Sequence, residues 1–142
     1  MKTSTESLAF AVLTLLVGST IATAAESVRW SKSYASATAE ASRTGRPIVL
    51  VVGSRNCPWC RKLERTTLRD GRVVRELNNA TVPLKIDSDD ESQADLLASL
   101  RVQSLPTTVV ISNDGKIVTS RTGFLESTAF LKLVESATSR RR

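Results

Sequence analysis

No histidine occurs among the 142 residues. That removes histidine-based triads, histidine general bases and His-ligated metal sites from the chemistry this chain can perform. The single methionine is Met1, so a Met-assisted copper site is not expected. There are two cysteines, where a structural zinc site usually takes four soft ligands. No metal and no cofactor is therefore expected. Aromatic residues make up 4% of the chain, too few to suggest a stacking platform, so no nucleic-acid partner is expected. Acidic residues are also in deficit, 14 against 20 basic ones, for a net charge of +6. Part of that excess is Arg140-Arg141-Arg142. Such a balance suits either a solvated surface with a basic tail or contact with anionic polymer, lipid or an acidic partner.

What is present begins with a leader. Met1 and Lys2 supply positive charge, Leu8 to Val17 is apolar and uncharged, and Ala22-Thr23-Ala24 has the A-x-A form of a cleavage site. This predicts a signal peptide over 1–24 and a single domain over 25–142, ending in a short basic tail. The protein is expected to be exported, to a periplasm or the exterior. The alternative is an uncleaved membrane anchor, in which case the chain associates with a membrane through this segment; Ser19, Thr20 and Thr23 dilute it.

Both cysteines fall in one stretch, Asn56-Cys57-Pro58-Trp59-Cys60-Arg61. It follows an apolar run, Ile48 to Val52, and precedes a helical-looking run towards Leu68. A strand turning sharply into a helix puts Cys57 at the helix N-terminus. There, free N–H groups and the helix dipole favour an anion, and the thiol pKa is expected below about 8.5. Pro58 suits the first helical position, where its missing N–H is not needed. Arg55, Arg61 and Lys62 add positive charge. Cys60 lies one turn on, within disulfide reach.

The rest of the chain has punctuated periodicity. Val28-Arg29-Trp30 reads as a short edge strand and Ser33 to Ser42 as an alanine-rich helix, stopped by Gly45 and Pro47. Ile48 to Val52 is apolar throughout and β-branched at all but Leu50, as a strand buried on both faces should be. After the motif helix, Asp70 caps a second helix over Arg72 to Asn78, with Val73, Val74 and Leu77 inward. Thr81 to Ile86 is a strand. Ser88-Asp89-Asp90-Glu91 lacks the glycine and ligand spacing of a calcium loop and reads as a helix start, followed by a helix over Gln93 to Leu100. Thr107 to Ile111 and Lys116 to Ser120 form a hairpin about Asn113-Asp114-Gly115, and Glu126 to Ser136 is a final amphipathic helix.

The strand–C-x-x-C–helix unit, with Leu105-Pro106-Thr107, the hairpin and Gly123 before the last helix, resembles the thioredoxin superfamily over Trp30 to Ser136. The resemblance implies an α/β thioredoxin fold: a mixed central sheet flanked by helices on both faces. It implies a protein-disulfide oxidoreductase with Cys57 as nucleophile and Cys60 as resolving thiol, acting in either the reductase or the oxidase/isomerase direction. It implies a cis Pro106 that holds the Leu105 backbone open to an extended substrate, where a trans loop proline is the plain alternative. Trp59 is expected at the site rim in contact with substrate, or else packed on the motif helix. Implied partners are proteins with disulfides or dithiols and a redox partner protein. Arg55, Pro58 and Arg61 would tune the thiolate.

Three departures from thioredoxin itself stand out. Proline follows the first cysteine, as in glutaredoxins. Val51 stands where thioredoxin carries a buried acid, and Pro83 about where it carries the paired lysine, so a proton relay to Cys60 is expected to be absent or served by water. No glutathione-binding pattern is evident. An inert disulfide is the other reading of the motif, but its four-residue loop would stabilise by only about 2 kcal/mol, against ~3 for fifteen residues. The alternative from another class is a binding or chaperone-like module that uses the cis-proline groove and keeps a vestigial disulfide.

Overall fold

The computed structural model describes residues 25–139. The expected leader over 1–24 and the arginines at 140–142 lie outside the described residues. Ser33 opens helix α1 (Tyr34–Thr44) with a reciprocal capping box to Ser36, and Gly45 closes it at φ 71. That left-handed geometry suits glycine, which has no Cβ to clash. Strand β1 (Ile48–Gly53) is buried along its whole length. Then come α2 (Pro58–Arg65), α3 (Gly71–Ala80), β2 (Val82–Asp87), α4 (Ala94–Ser99), β3 (Thr107–Ile111), β4 (Ile117–Thr122) and α5 (Ser127–Thr138).

The four strands stand in the order β2-β1-β3-β4. β1 runs parallel to β2 and antiparallel to β3, and β3 is antiparallel to β4, so the sheet is mixed. Alternate residues of β1 serve opposite faces. Val49 and Val51 join Leu63, Val73, Val74, Leu77, Phe130 and Val134 beneath α2, α3 and α5. Ile48, Leu50 and Val52 join Ala37, Ala41, Leu84 and Leu100 beneath α1 and α4. Each fully buried branched side chain contributes roughly 1.5–3 kcal/mol, so β1 anchors both layers. This is the thioredoxin arrangement, with helices on both faces of the sheet.

Three elements differ from the sequence expectation. Val28–Trp30 is not a strand. The N–H of Arg29 goes to the Asn78 side chain at 2.9 Å, and the only sheet contact is a bridge at Ser31, whose N–H donates to the Pro83 carbonyl at 2.8 Å. Asn78 also donates to Glu26 and to the Ser27 carbonyl, so this buried amide holds the entering chain. The motif helix ends at Arg65 rather than near Leu68. Thr66 caps the helix with distorted angles (φ −113, ψ −78), and the buried Thr67 hydroxyl donates to the Leu125 carbonyl at 2.6 Å, beside a 3-10 turn over Thr67–Arg69. The helix expected over Gln93 to Leu100 divides into a 3-10 turn, Glu91–Gln93, and α4. Asp90 caps the turn by accepting from Ser92 N–H at 3.0 Å, so the acidic cluster serves a helix start. Among the described residues no helix is long and apolar enough to cross a membrane.

Candidate active site

β1 delivers the chain to the top of the sheet at Gly53, and Cys57 then becomes the N-cap of α2. Its backbone is extended (φ −94, ψ 110), and its sulfur accepts the Cys60 N–H at 3.2 Å. Pro58 occupies the first helical position. Cys57 and Cys60 are disulfide-bonded with Cα atoms 5.2 Å apart. Cys57 is half-buried, whereas Cys60 is 2% exposed and lies inside the first turn. Gly53 allows that depth: a Cβ there would sit 3.3 Å from the Cys60 Cβ.

The proline loop reaches the same place through sheet register. Thr107 lies opposite Val52, so Pro106 arrives at the sheet end where Gly53 leads into the disulfide loop. The Leu105–Pro106 bond is cis. The Pro106 carbonyl accepts the Gly123 N–H at 2.7 Å, which ties the segment before α5 to this loop. Leu105 is half-buried and Pro106 buried.

The basic residues divide into distinct roles. The Arg61 guanidinium donates to the Arg55 carbonyl at 2.7 Å and so braces the turn ahead of Cys57. Arg55 itself is exposed, with Asp87 at 3.9 Å, a distance at which surface charge is well screened. Trp59 is 55% exposed, and its ring meets Phe124 with centroids 5.9 Å apart. Its ring is thus exposed and in contact on two sides, with Phe124 after Gly123 and with Lys62 of its own helix.

A cavity of about 440 Å³ opens between Trp30, Gly53, Arg61, Glu64 and Lys85. Trp30 is half-buried against the α2 side of the core and walls this cavity. Val51 is buried, as an apolar residue in the acid's place should be. Its partner across the parallel ladder is Lys85, which pairs with Glu64, one turn beyond Cys60 on α2. Lys85 and Glu64 thus form an ion pair between β2 and α2. They are two residues along β2 from Pro83 and on the helix rather than on β1. Among the described residues no group of three or more His, Cys, Asp or Glu is placed to hold a metal ion.

Sequence reasoning gave no site role to Phe124, Glu64 or Lys85. An aromatic residue directly after the glycine that precedes the last helix was the available signal for Phe124. For Lys85 it was a charged residue between apolar Leu84 and Ile86 in a strand whose other charge, Asp87, stands at its end.

A family model described as a thioredoxin-like domain matches residues 34–138. The thiol:disulfide interchange protein DsbD of Yersinia pestis (strain Pestoides F) is 30% identical over 100 residues, covering 68% of this chain and 17% of that protein. The chain thus spans about a sixth of the length of the curated relatives it matches. A solution structure of a thioredoxin from Thermus thermophilus superposes with TM-score 0.69 at 28% identity, over 78% of this chain and 86% of that one. A DsbH oxidoreductase superposes with TM-score 0.69 at 23% identity, over 81% and 87%.

Proposed function

The chain belongs to the thioredoxin-like domain family, and from that premise we propose that it is a thiol–disulfide oxidoreductase acting on protein disulfides outside the cytoplasm through Cys57 and Cys60. The observation that carries the reading is the pairing of a half-buried Cys57 at the N-cap of α2 with a buried Cys60, beside the cis Leu105–Pro106 bond. The export part rests on the leader's sequence alone.

In the reducing direction, the Cys57 thiolate attacks one sulfur of a substrate disulfide. The substrate S–S bond breaks, its other sulfur leaves as a thiolate and takes up a proton, and a mixed disulfide to Cys57 remains. Cys60 then loses its proton and attacks the Cys57 sulfur. The Cys57–Cys60 bond forms, the second substrate sulfur leaves, and the substrate has gained the two electrons the protein lost. Run backwards, the same steps oxidise a substrate dithiol. A redox partner protein returns the domain to its starting state. On this reading Leu105 and Pro106 of the proline loop and the exposed Trp59 hold an extended substrate segment; the cis Leu105–Pro106 bond and the exposure of Trp59 support it.

Client trapping tests this. Cys60→Ser should accumulate client proteins as mixed disulfides through Cys57, released by dithiothreitol, and Cys57→Ser should trap few. If both variants and the double variant retain the same clients noncovalently, the chain is a binding module with a vestigial disulfide.

A further inference from the structure

Lys62 stands on the exposed side of α2, two residues beyond Cys60. Its ammonium lies 4.9 Å from the Trp59 ring centroid and 4.6 Å from that of Phe124. Among the described residues no carboxylate comes within ion-pair distance of it. Ring quadrupoles hold a cation in place without neutralising it, so the charge is fixed in position and still unspent on any anion. Phe124 directly follows Gly123, which is bonded to the Pro106 carbonyl, so the ring pair and the proline loop form one surface. Two further cations, Arg55 and Arg61, flank the same disulfide; among the described residues the one carboxylate within ion-pair distance of either is Asp87, at 3.9 Å from Arg55, and Glu64, which shares their cavity, is paired with Lys85. Lys62 and Phe124 also line a cavity that holds two carboxylates, Asp70, which is held by Arg72 at 3.1 Å, and Glu126, which has no ion pair among the described residues. Around the disulfide itself, Arg55, Arg61 and Lys62 outnumber Asp87, and Glu64 is paired with Lys85, so that side is positive.

We propose that this face docks an acidic segment of a partner protein, with Lys62 on the Trp59–Phe124 rings taking a carboxylate that the partner carries within a few residues of its own cysteine. An apolar partner alone would have no use for the fixed ammonium. A second copy of this chain would set like charges against each other. The carboxylate forms a charge-assisted bond to the outer side of the ammonium, while an apolar neighbour on the partner covers the exposed Trp59 ring. The inference rests on the redox reading only in supposing that the partner brings a cysteine.

The test uses two extended peptides in which serine replaces cysteine, identical but for Glu or Lys two residues from the serine. They are titrated into the full exported chain and read by tryptophan fluorescence. The Glu peptide should bind at least fivefold more tightly at low salt, with the difference shrinking by half a molar sodium chloride. Lys62→Glu should invert the preference, and Phe124→Leu should weaken the Glu peptide. Equal binding within twofold, binding of neither peptide, or a preference that survives Lys62→Glu overturns the proposal, as does self-association in place of peptide binding. Because the peptides carry no thiol, the result is independent of client trapping: either reading can fail while the other stands.

Discussion

Gly53 lies where any side chain would press on Cys60. A methyl group on Gly53 would lie 3.3 Å from the Cys60 Cβ and 3.4 Å from its sulfur, closer than side chains ordinarily pack. The glycine thus sets how deep the resolving cysteine sits between β1 and α2. Gly53 does not occupy the left-handed region, so alanine meets a contact rather than a backbone restriction. Gly53→Ala should destabilise the protein by about 1–3 kcal/mol through overpacking. Urea denaturation measures this. A gain of ~0.5 kcal/mol, as unfolded-state entropy alone would give, would mean that α2 shifts freely over β1.

The same depth separates the two sulfurs in reactivity. Cys57 is half-buried at the helix start and Cys60 is 2% exposed. With the reduced protein and limiting iodoacetamide at pH 6, the adduct should map to Cys57. Predominant labelling of Cys60 would reverse the assignment of nucleophile and resolving thiol.

Much of this was legible in the sequence because it is local: a β-branched strand, proline after a helix-capping cysteine, glycine and proline stops. What escaped depends on distant contacts. The end of α2 is set by Thr67 reaching Leu125, fifty-eight residues away, which no periodicity reports. Val28–Trp30 has strand composition, but the Asn78 side chain takes the hydrogen bond a ladder would have used. Lys85 fell outside the expected relay because its place beside Val51 is a matter of register between β1 and β2, and its partner Glu64 comes from a third element.

Acid should weaken the hairpin before the core. Hydrogen bonds from Ser112 and Lys116 pull Asp114 from 3.8 down to about 2. Since the folded-state value is the lower one, the stabilisation is present above about pH 4 and is lost as pH falls towards 2. Asp114→Asn should therefore lower the melting temperature at pH 6, and the two proteins should converge near pH 2. A difference independent of pH would assign the role of Asp114 to turn geometry rather than charge.

Arg101 ends α4 at φ 56, the one non-glycine residue with positive φ among those described. Its N–H bonds the Ala98 carbonyl and that of Val102 the Leu97 carbonyl, each at 3.0 Å, the paired closure that glycine normally makes. An L-side chain there carries about 1–2 kcal/mol of strain, part of which glycine's larger unfolded-state entropy cancels. Arg101→Gly should raise stability by about 0.5–1 kcal/mol in urea melts. If client trapping falls at the same time, the arginine side chain contributes to partner binding despite the strain.

Local charge should also set the redox poise. The helix start at Cys57, the Arg61 guanidinium braced against the Arg55 carbonyl, and Lys62 all favour a Cys57 thiolate, and Val51 supplies no opposing acid. Stabilising the thiolate stabilises the reduced protein and raises the potential, by about 30 mV for each 1.4 kcal/mol in a two-electron couple. One or two such increments above thioredoxin's roughly −270 mV give about −240 to −210 mV, well short of the ~ −120 mV of strong disulfide-forming oxidants. Equilibration in glutathione buffers with thiol labelling measures the value. Arg61→Gln should lower it, since that substitution removes a cation and keeps a donor for the Arg55 carbonyl. A potential at or below −270 mV would mean that these cations do not control the couple. Control would then pass to the Glu64–Lys85 pair, and Lys85→Met should change the pH dependence of the potential.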